Sequence, residues 1–333
     1  MKKLRIFTLL IALALPLLAL PSHGATPPLI GIAYDIGGRG DSGFNDAAGA
    51  GVDRAIKELG AKFESTVTLG TQSDRESRLL SLIEKNVNPI IAIGSDYAPA
   101  VEASAQKYPD TQFILIDDAS VAHLNVTSIV FAETQGAYLA GAAAALASKS
   151  GKVAMIVNEK QSKLFWNGFN VGVRNSKRAV KASIAFANKN YAATAKDLID
   201  SGVDVIYLGI RGSSTDVLDE ITKLNLAKNR KKGAPLAYLI SVTPDQFLRV
   251  TPASKEFLLA RIEKRVDTAV FNVASAAVNG SQYLDIIDKD LGIYGHRFEI
   301  SDDGITIDVR SKLLNSYSKQ IALAKKQALQ VLG

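Results

Sequence analysis

Residues 29–46 read LIGIAYDIGGRGDSGFND, and this stretch decides the fold. Leu29–Ile36 is a short apolar run ending in a glycine cluster, the pattern of a strand buried on both faces. A glycine-rich turn follows, and helical spacing then runs from Ala47 to Leu59. The same alternation continues outward along the chain. Apolar runs at Pro89–Gly94, Gln112–Asp117, Lys152–Val157, Val203–Ile210 and Pro235–Val242 predict further buried strands. Helical spacing at Arg75–Glu84, Pro99–Lys107, Ala192–Ile199 and Thr215–Leu224 falls between most of them. Strands alternating with helices of this length predict α/β architecture, parallel sheets with helices on both faces. Gly60, Gly202 and Gly233 stand near the predicted helix-to-strand boundaries, where left-handed backbone favours glycine.

The pattern restarts midway. Gln135–Ala147 reads as a small-residue helix, after which Gly151-Lys152-Val153 opens a second βα series. Two series of similar length predict two lobes. The final third is expected to hold a long helix over Ser254–Val278, a hairpin over Phe298–Val309 around Asp302-Asp303-Gly304, and a closing helix from Ser311. No low-complexity tract and no repeat of 20–50 residues is visible.

Composition removes whole classes of chemistry. The 333 residues include no cysteine, so disulfides, thiolate metal sites and cysteine nucleophiles are excluded. Of three histidines, none sits in H-x-x-x-H or H-E-x-x-H spacing, so no metal centre is expected. There is no G-x-S-x-G elbow, and no acid cluster at metal spacing. The N-terminus has a positive start at Lys2, Lys3 and Arg5, an apolar run from Ile6 to Leu20, and small residues at Ser22 and Gly24 before Ala25. That is the layout of a secretory signal peptide over residues 1–24. Subtracting its three basic residues from the net charge of +6 leaves +3, too mild to imply a nucleic-acid partner. The basic cluster Lys228, Arg230, Lys231 and Lys232 reads as a solvated turn. The expected location is periplasmic or secreted, soluble after cleavage. Without a cysteine near the cleavage site, no lipid anchor is expected.

The glycine turn carries three readings. Gly38-Arg39-Gly40-Asp41-Ser42-Gly43 matches G-x-G-x-x-G between a strand and a helix, the setting of a dinucleotide site. Against this, Phe44 and Asn45 follow the third glycine directly, and Glu64, the acid at the right distance, falls inside the second strand. A second reading is a plain glycine-rich connection. In the third, the turn lies where open α/β sheets bind ligands, at the carboxyl end of a strand. Phe44 then offers a flat apolar face and Asn45 offers donors and acceptors, a combination suited to a heteroaromatic ring.

Several short motifs in order now resemble a known family. Asp35-Ile36-Gly37-Gly38 with Asp41-Ser42-Gly43-Phe44-Asn45 looks like D-x-G-G then D-x-S-F-N. Tyr108-Pro109-Asp110 with Phe113–Asp117 looks like Y-P-D-x-x-F-x-x-x-D. Gly136-Ala137-Tyr138-Leu139-Ala140-Gly141 looks like G-S-Y-L-A-G, followed by a G-K-V strand at Gly151–Val153. Phe165-Trp166-Asn167-Gly168-Phe169 with Gly172-Val173 looks like F-x-x-G-F-x-x-G-V. Together these pieces are similar to the basic membrane protein family of ABC-transporter substrate-binding proteins, many of which bind purine nucleosides.

The resemblance implies a two-lobed periplasmic-binding-protein type I fold that closes on its ligand about a multi-strand hinge. It implies a first lobe of residues 28–147 plus about 243–275, and a second of 148–242 plus about 276–333. It further implies a transport receptor that is not an enzyme, needs no cofactor, and delivers a purine nucleoside or similar small ligand to a membrane permease. A sensor or sugar-binding receptor of the same fold is the alternative; an exported nucleoside-processing or dinucleotide-binding enzyme fits less well. By resemblance Phe44 and Phe165 stack on the base, Asn45 meets its edge, and Asp117 and Lys255 hold sugar hydroxyls. Asp35, Ser95, Arg211, Thr243 and Asp245 complete the implied ligand set. The chain departs from the family at Gly43, where a serine is usual, at Thr243, where an aspartate is usual, and at Arg211, in the usual G-G-T-G turn.

Overall fold

The run that opens the sequence analysis is β1 (Leu29–Tyr34), and it leads into α1 (Phe44–Leu59). The computed structural model describes residues 28–159, 162–210, 215–228, 231–242 and 250–330. After α1 come β2 (Lys62–Val67), α2 (Gln72–Ile83), β3 (Ile90–Ile93), a 3-10 turn at Ser95–Tyr97, α3 (Ala98–Lys107), β4 (Phe113–Ile116) and β5 (Val126–Phe131). The second series is α4 (Glu133–Ala147), β6 (Lys152–Val157), α5 (Ser162–Asn175), β7 (Lys181–Phe186), α6 (Tyr191–Asp200), β8 (Val205–Leu208), α7 (Thr215–Leu226), β9 (Tyr238–Val242), α8 (Pro252–Lys255) and β10 (Leu258–Lys264). The chain ends with α9 (Val266–Val278), β11 (Asp285–Asp288), β12 (Ile293–Phe298), β13 (Ile305–Val309), α10 (Lys312–Asn315) and α11 (Ser318–Ala328).

The strands form two sheets, ordered β11-β12-β5-β4-β3-β1-β2 and β13-β10-β9-β8-β6-β7. All neighbours are parallel except β11 on β12 and β13 on β10. β3 and β4 are buried along their whole length, as strands covered on both faces must be. Ile114 and Ile116 pack toward α1 and α9, whereas Phe113 and Leu115 pack toward α2 and α3. The second sheet is likewise covered by α4, α5 and α11 on one face and by α6 and α7 on the other.

α4 is buried on nearly every side, and its alanines and glycines let α5 approach very closely. A Cβ added at Gly141, Gly168 or Gly172 would lie 2.1 Å from the carbonyl oxygen of Phe169, Thr134 or Tyr138 respectively. Gly141, Gly168 and Gly172 of the two family-like motifs are therefore contact points between these helices, whereas Gly136 faces Ile262 and Ile305 of the second sheet.

Four expectations change. The helix expected over Ser254–Val278 is interrupted by β10, whose Leu258, Leu259, Ala260 and Ile262 are buried beside β9; helix resumes only at Val266. Phe298–Val309 is no hairpin, because β12 belongs to the first sheet and β13 to the second. The lobe limits move too. α4 packs on the second sheet and β10 lies in it, whereas β11 and β12 join the first. The closing helix is split into α10 and α11. In each case local pattern marks burial but not the sheet that provides it.

The chain thus crosses between the lobes three times: after β5, after β10 and between β12 and β13. The crossings are laced together. Ala132 N–H donates to the Phe298 carbonyl (2.9 Å) and Arg265 N–H to the Gly304 carbonyl (2.8 Å). The Gln135 amide accepts from Ile300 N–H (3.0 Å) and donates to the Glu299 carboxylate (3.0 Å). Among the described residues, no helix is long and apolar enough to cross a membrane.

Candidate functional site

Each of the three crossings leaves from the carboxyl end of a parallel strand, so the carboxyl ends of the two sheets face one another. In open α/β sheets this is where ligands bind. The β1–α1 loop forms one lip. Asn45 is 2% exposed and clasps that loop. Its carbonyl oxygen accepts from Asp35 N–H (2.9 Å), and its amide group donates to the carbonyls of Asp35 (3.3 Å) and Ile36 (3.2 Å). The side chain expected to read a ligand edge is therefore occupied in holding the loop. Phe44, the first residue of α1, is half-buried against the core of the first lobe.

The glycine turn holds its own anions. The Asp41 carboxylate accepts from the N–H groups of Gly43 (2.7 Å), Asn45 (3.1 Å) and Asp46 (3.1 Å). Asp46 accepts from Gly40 and from Ser42 (2.8 Å). The donors a pyrophosphate would need at the start of α1 are thus taken by two carboxylates, which argues against the dinucleotide reading. Replacing Asp41 with alanine is expected to lower stability by about 1–2 kcal/mol, as loss of a strong helix cap does. Urea unfolding measures this, and an unchanged midpoint would show that the cap is idle.

Asp35, at the end of β1, accepts from the Arg75 guanidinium at 2.8 Å. Arg75 is 6% exposed, also donates to the Gly70 carbonyl (2.7 Å), and lies over the Tyr97 ring. Burial pushes the Tyr97 phenol up, and its hydroxyl donates to the Tyr34 carbonyl (3.1 Å). Ser95 is half-buried at the end of β3, opening the 3-10 turn after Gly94.

Asp117 follows β4 in left-handed backbone and is 3% exposed. Both its carboxylate oxygens face the Lys264 ammonium, at 2.9 and 3.2 Å. Lys264 ends β10, is 2% exposed, and also binds Glu133, the first residue of α4. One buried cation therefore joins an acid of the first lobe to an acid and a strand of the second, at the crossings. Behind it the Tyr207 phenol is pushed well up, first by burial and then by the Glu133 charge.

The expected lysine, Lys255, sits elsewhere. It lies before β10 begins, at the end of the second sheet away from the crossings. A seven-residue strand separates it from Lys264, a distance of about 20 Å. Helical spacing over Ser254–Val278 hides Lys264; the alternation of apolar Ala260 and Ile262 with polar Arg261 and Glu263 is the sequence signal of the strand that carries it. On the second lobe Phe165 is 4% exposed, tilted on Tyr207 at 6.5 Å, and a Cβ at Gly209 would come within 3.1 Å of its ring. Phe169 is fully buried. Arg211, Thr243 and Asp245 lie outside the described residues. Among the described residues no group of His, Asp or Glu could hold a metal ion.

Comparison with known proteins agrees with this fold. The family described as ABC transporter substrate-binding protein PnrA-like matches residues 30–331. The chain is 30% identical over 264 residues to the ABC transporter nucleoside-binding protein BmpA of Lactococcus lactis, covering 75% of this chain and 74% of that one. Among solved structures it resembles a transcriptional activator of the comK gene from Bacillus halodurans, with a TM-score of 0.70, 19% identity and coverage of 91% and 98%. It also resembles an ABC transporter solute-binding protein from Conexibacter woesei, with a TM-score of 0.65, 15% identity and coverage of 92% and 98%. The two structures show the fold alone, a periplasmic-binding-protein type I architecture. The chain belongs to the Bmp family of PnrA-like ABC transporter substrate-binding proteins.

Proposed function

We propose that this chain is the receptor of an ABC uptake system, exported by residues 1–24 and soluble after cleavage, and that it binds a purine nucleoside between its lobes without chemically changing it. The observation that carries this reading is the buried Asp117–Lys264–Glu133 cluster at the crossings, with Phe44 opening the helix that follows the carboxyl end of β1 in the same sheet as β4. A heteroaromatic base stacks on an aromatic face with little regard to its substituents. Sugar hydroxyls, being both donors and acceptors, suit carboxylates and an ammonium held in fixed positions. Charge-assisted hydrogen bonds contribute about 1.5–3 kcal/mol each, so two of them with stacking reach about −8 kcal/mol, a micromolar dissociation constant. The nucleoside-binding protein of L. lactis, at 30% identity, supports the same ligand class.

The test is a thermal-shift screen of the refolded, ligand-free mature chain against nucleosides, free bases, sugars and small anions. Adenosine, guanosine or inosine is expected to stabilise it by about 2.7 kcal/mol at a hundredfold excess over the dissociation constant. Phe44→Ala, in a ring only half-buried, is expected to fold and to lose most of that shift. Stabilisation by a sugar or an anion alone would keep the receptor and overturn the nucleoside.

A further inference from the structure

The mild net charge of the chain conceals two lobes of opposite sign. Residues 28–132 and 265–304, the segments of the first lobe, hold 11 basic and 21 acidic side chains, a net charge of −10. Residues 133–264 and 305–330, the segments of the second, hold 25 and 12, a net charge of +13. The excess gathers at one end of the second lobe. β6 to β10 run parallel, and the cations lie where these strands begin, at the end of the sheet away from the crossings. Lys149 precedes β6 and Lys152 is its first residue; Lys177 and Arg178 precede β7 and Lys181 is its first residue. Lys228, Lys231 and Lys232 lie between α7 and β9. Lys312 follows β13, whose last residue Val309 pairs with Ala260 near the start of β10. All nine are exposed.

Their neighbours do not balance them. Among the described residues, no carboxylate forms an ion pair with any of the nine. Acids at the same end are engaged elsewhere: buried Asp204 accepts from Ser148, Lys149 N–H and Ser150 N–H, Asp200 pairs with Lys196, and Asp308 with Arg310. Exposed Asp197 and Glu256 offset only a small part. Lys152 and Lys181 even stand side by side in the β6–β7 register, where like charges repel and cost stability. Folding alone does not favour that pair. Leu226, 62% exposed, and Leu236, 38% exposed, flank the Lys228–Lys232 turn.

We infer that this end of the second lobe is a docking surface for an anionic phospholipid membrane, its cations on the headgroups and the two leucines in the interface beneath them. Cations left unpaired by the protein are free to meet phosphates, and each one near an anionic leaflet strengthens binding by about fivefold. Exposed leucines among the lysines suit a bilayer, which offers an apolar layer below its charges, better than a nucleic acid. The sheet end is about 24 Å wide across its six strands, broad enough to lie flat on a membrane. It belongs to one lobe and lies opposite the cleft, so closure on a ligand leaves it unchanged. The inference rests on the reading of the chain as exported, not on the identity of its ligand.

The experiment is cosedimentation of the full mature chain with phosphatidylcholine vesicles, with and without a quarter of phosphatidylglycerol. Binding is expected to the anionic vesicles alone, and to fall away as salt shortens the Debye length from about 10 Å to about 3 Å. Arg178→Glu with Lys181→Glu is expected to weaken it by more than about tenfold. Lys163→Glu with Lys189→Glu makes the same charge change at exposed positions on the cleft end of the same lobe, and is expected to bind like the parent. The melting temperature and nucleoside-induced shift of the Arg178 and Lys181 variant are expected to match the parent. Equal binding of the parent to neutral vesicles, or none to anionic ones, overturns the proposal. So does binding of the Arg178 and Lys181 variant within twofold of the parent, equal weakening by the Lys163 and Lys189 pair, or tighter binding of the parent to duplex DNA than to the vesicles. A chain that binds the vesicles as expected but shows no nucleoside shift overturns the ligand reading and leaves the membrane surface standing.

Discussion

Replacing Lys264 with methionine is expected to destabilise the protein by about 3–5 kcal/mol at neutral pH, the loss that follows when one member of a buried ion pair is removed. Lys264 is 2% exposed and Asp117 3%, so the variant leaves Asp117 facing Glu133 with no cation between them. Two carboxylates in such a place repel and are poorly solvated. The sign of the pH dependence follows. Protonation relieves the repulsion, so the variant's deficit is largest at pH 8 and shrinks as the pH falls. Adding Asp117→Asn and Glu133→Gln to Lys264→Met is expected to recover most of the loss. Urea unfolding at pH 8 and pH 5 measures all three effects. A deficit below about 1 kcal/mol, independent of pH, would place the cluster among weakly coupled surface pairs. Since the cluster joins the lobes, the variant is also expected to bind nucleosides much more weakly.

Gly172→Val is the second large effect. The added Cβ would lie 2.1 Å from the Tyr138 carbonyl oxygen, well inside contact distance, and two branches would be added beyond it. The α4–α5 pair cannot absorb this by moving one side chain, because the obstacle is backbone. A loss of about 3 kcal/mol or more is expected, at the upper end of overpacking effects. Gly172→Ala is expected to lose about 1–3 kcal/mol. Equal midpoints for Gly172→Val and the parent chain in urea would show that the helices have slack the packing does not reveal. Because α5 also carries Phe165 and α4 begins at Glu133, the valine variant disturbs the second lobe's side of the cleft as well.

Much of the architecture was legible because its signal is local. A strand covered on both faces must be apolar throughout, and β1, β3, β4, β6 and β8 announce themselves that way. Gly60, Gly202 and Gly233 do adopt positive φ, as expected at helix-to-strand boundaries. β5 and β7 escaped notice for the complementary reason. Val126–Phe131 includes Thr127 and Ser128, and Lys181–Phe186 is partly exposed at a sheet edge, so neither reads as a continuous apolar run. The candidate site divides in the same way. Asp35, Ser95 and Asp117 lie next to strand ends that the pattern already located, and Phe44 opens the helix that follows the first of them. Lys264 does not, since its environment comes from Asp117, 147 residues earlier in the chain, and Glu133, 131 residues earlier.

The sequence by itself therefore determined the βα alternation in two series, the absence of cysteine and of histidine metal spacing, and the family to which the motifs point. Each of these is carried by neighbouring residues, through periodicity of burial or direct composition. Only the tertiary structure decided which sheet receives α4, β10 and β12, where the chain crosses between lobes, and which lysine stands at the crossings. Those outcomes depend on contacts between segments that are not neighbours in the chain, from the β9–β10 pair to the β5–β12 pair. A buried strand is equally apolar in either sheet, and a lysine shows no trace in sequence of the carboxylates that will surround it.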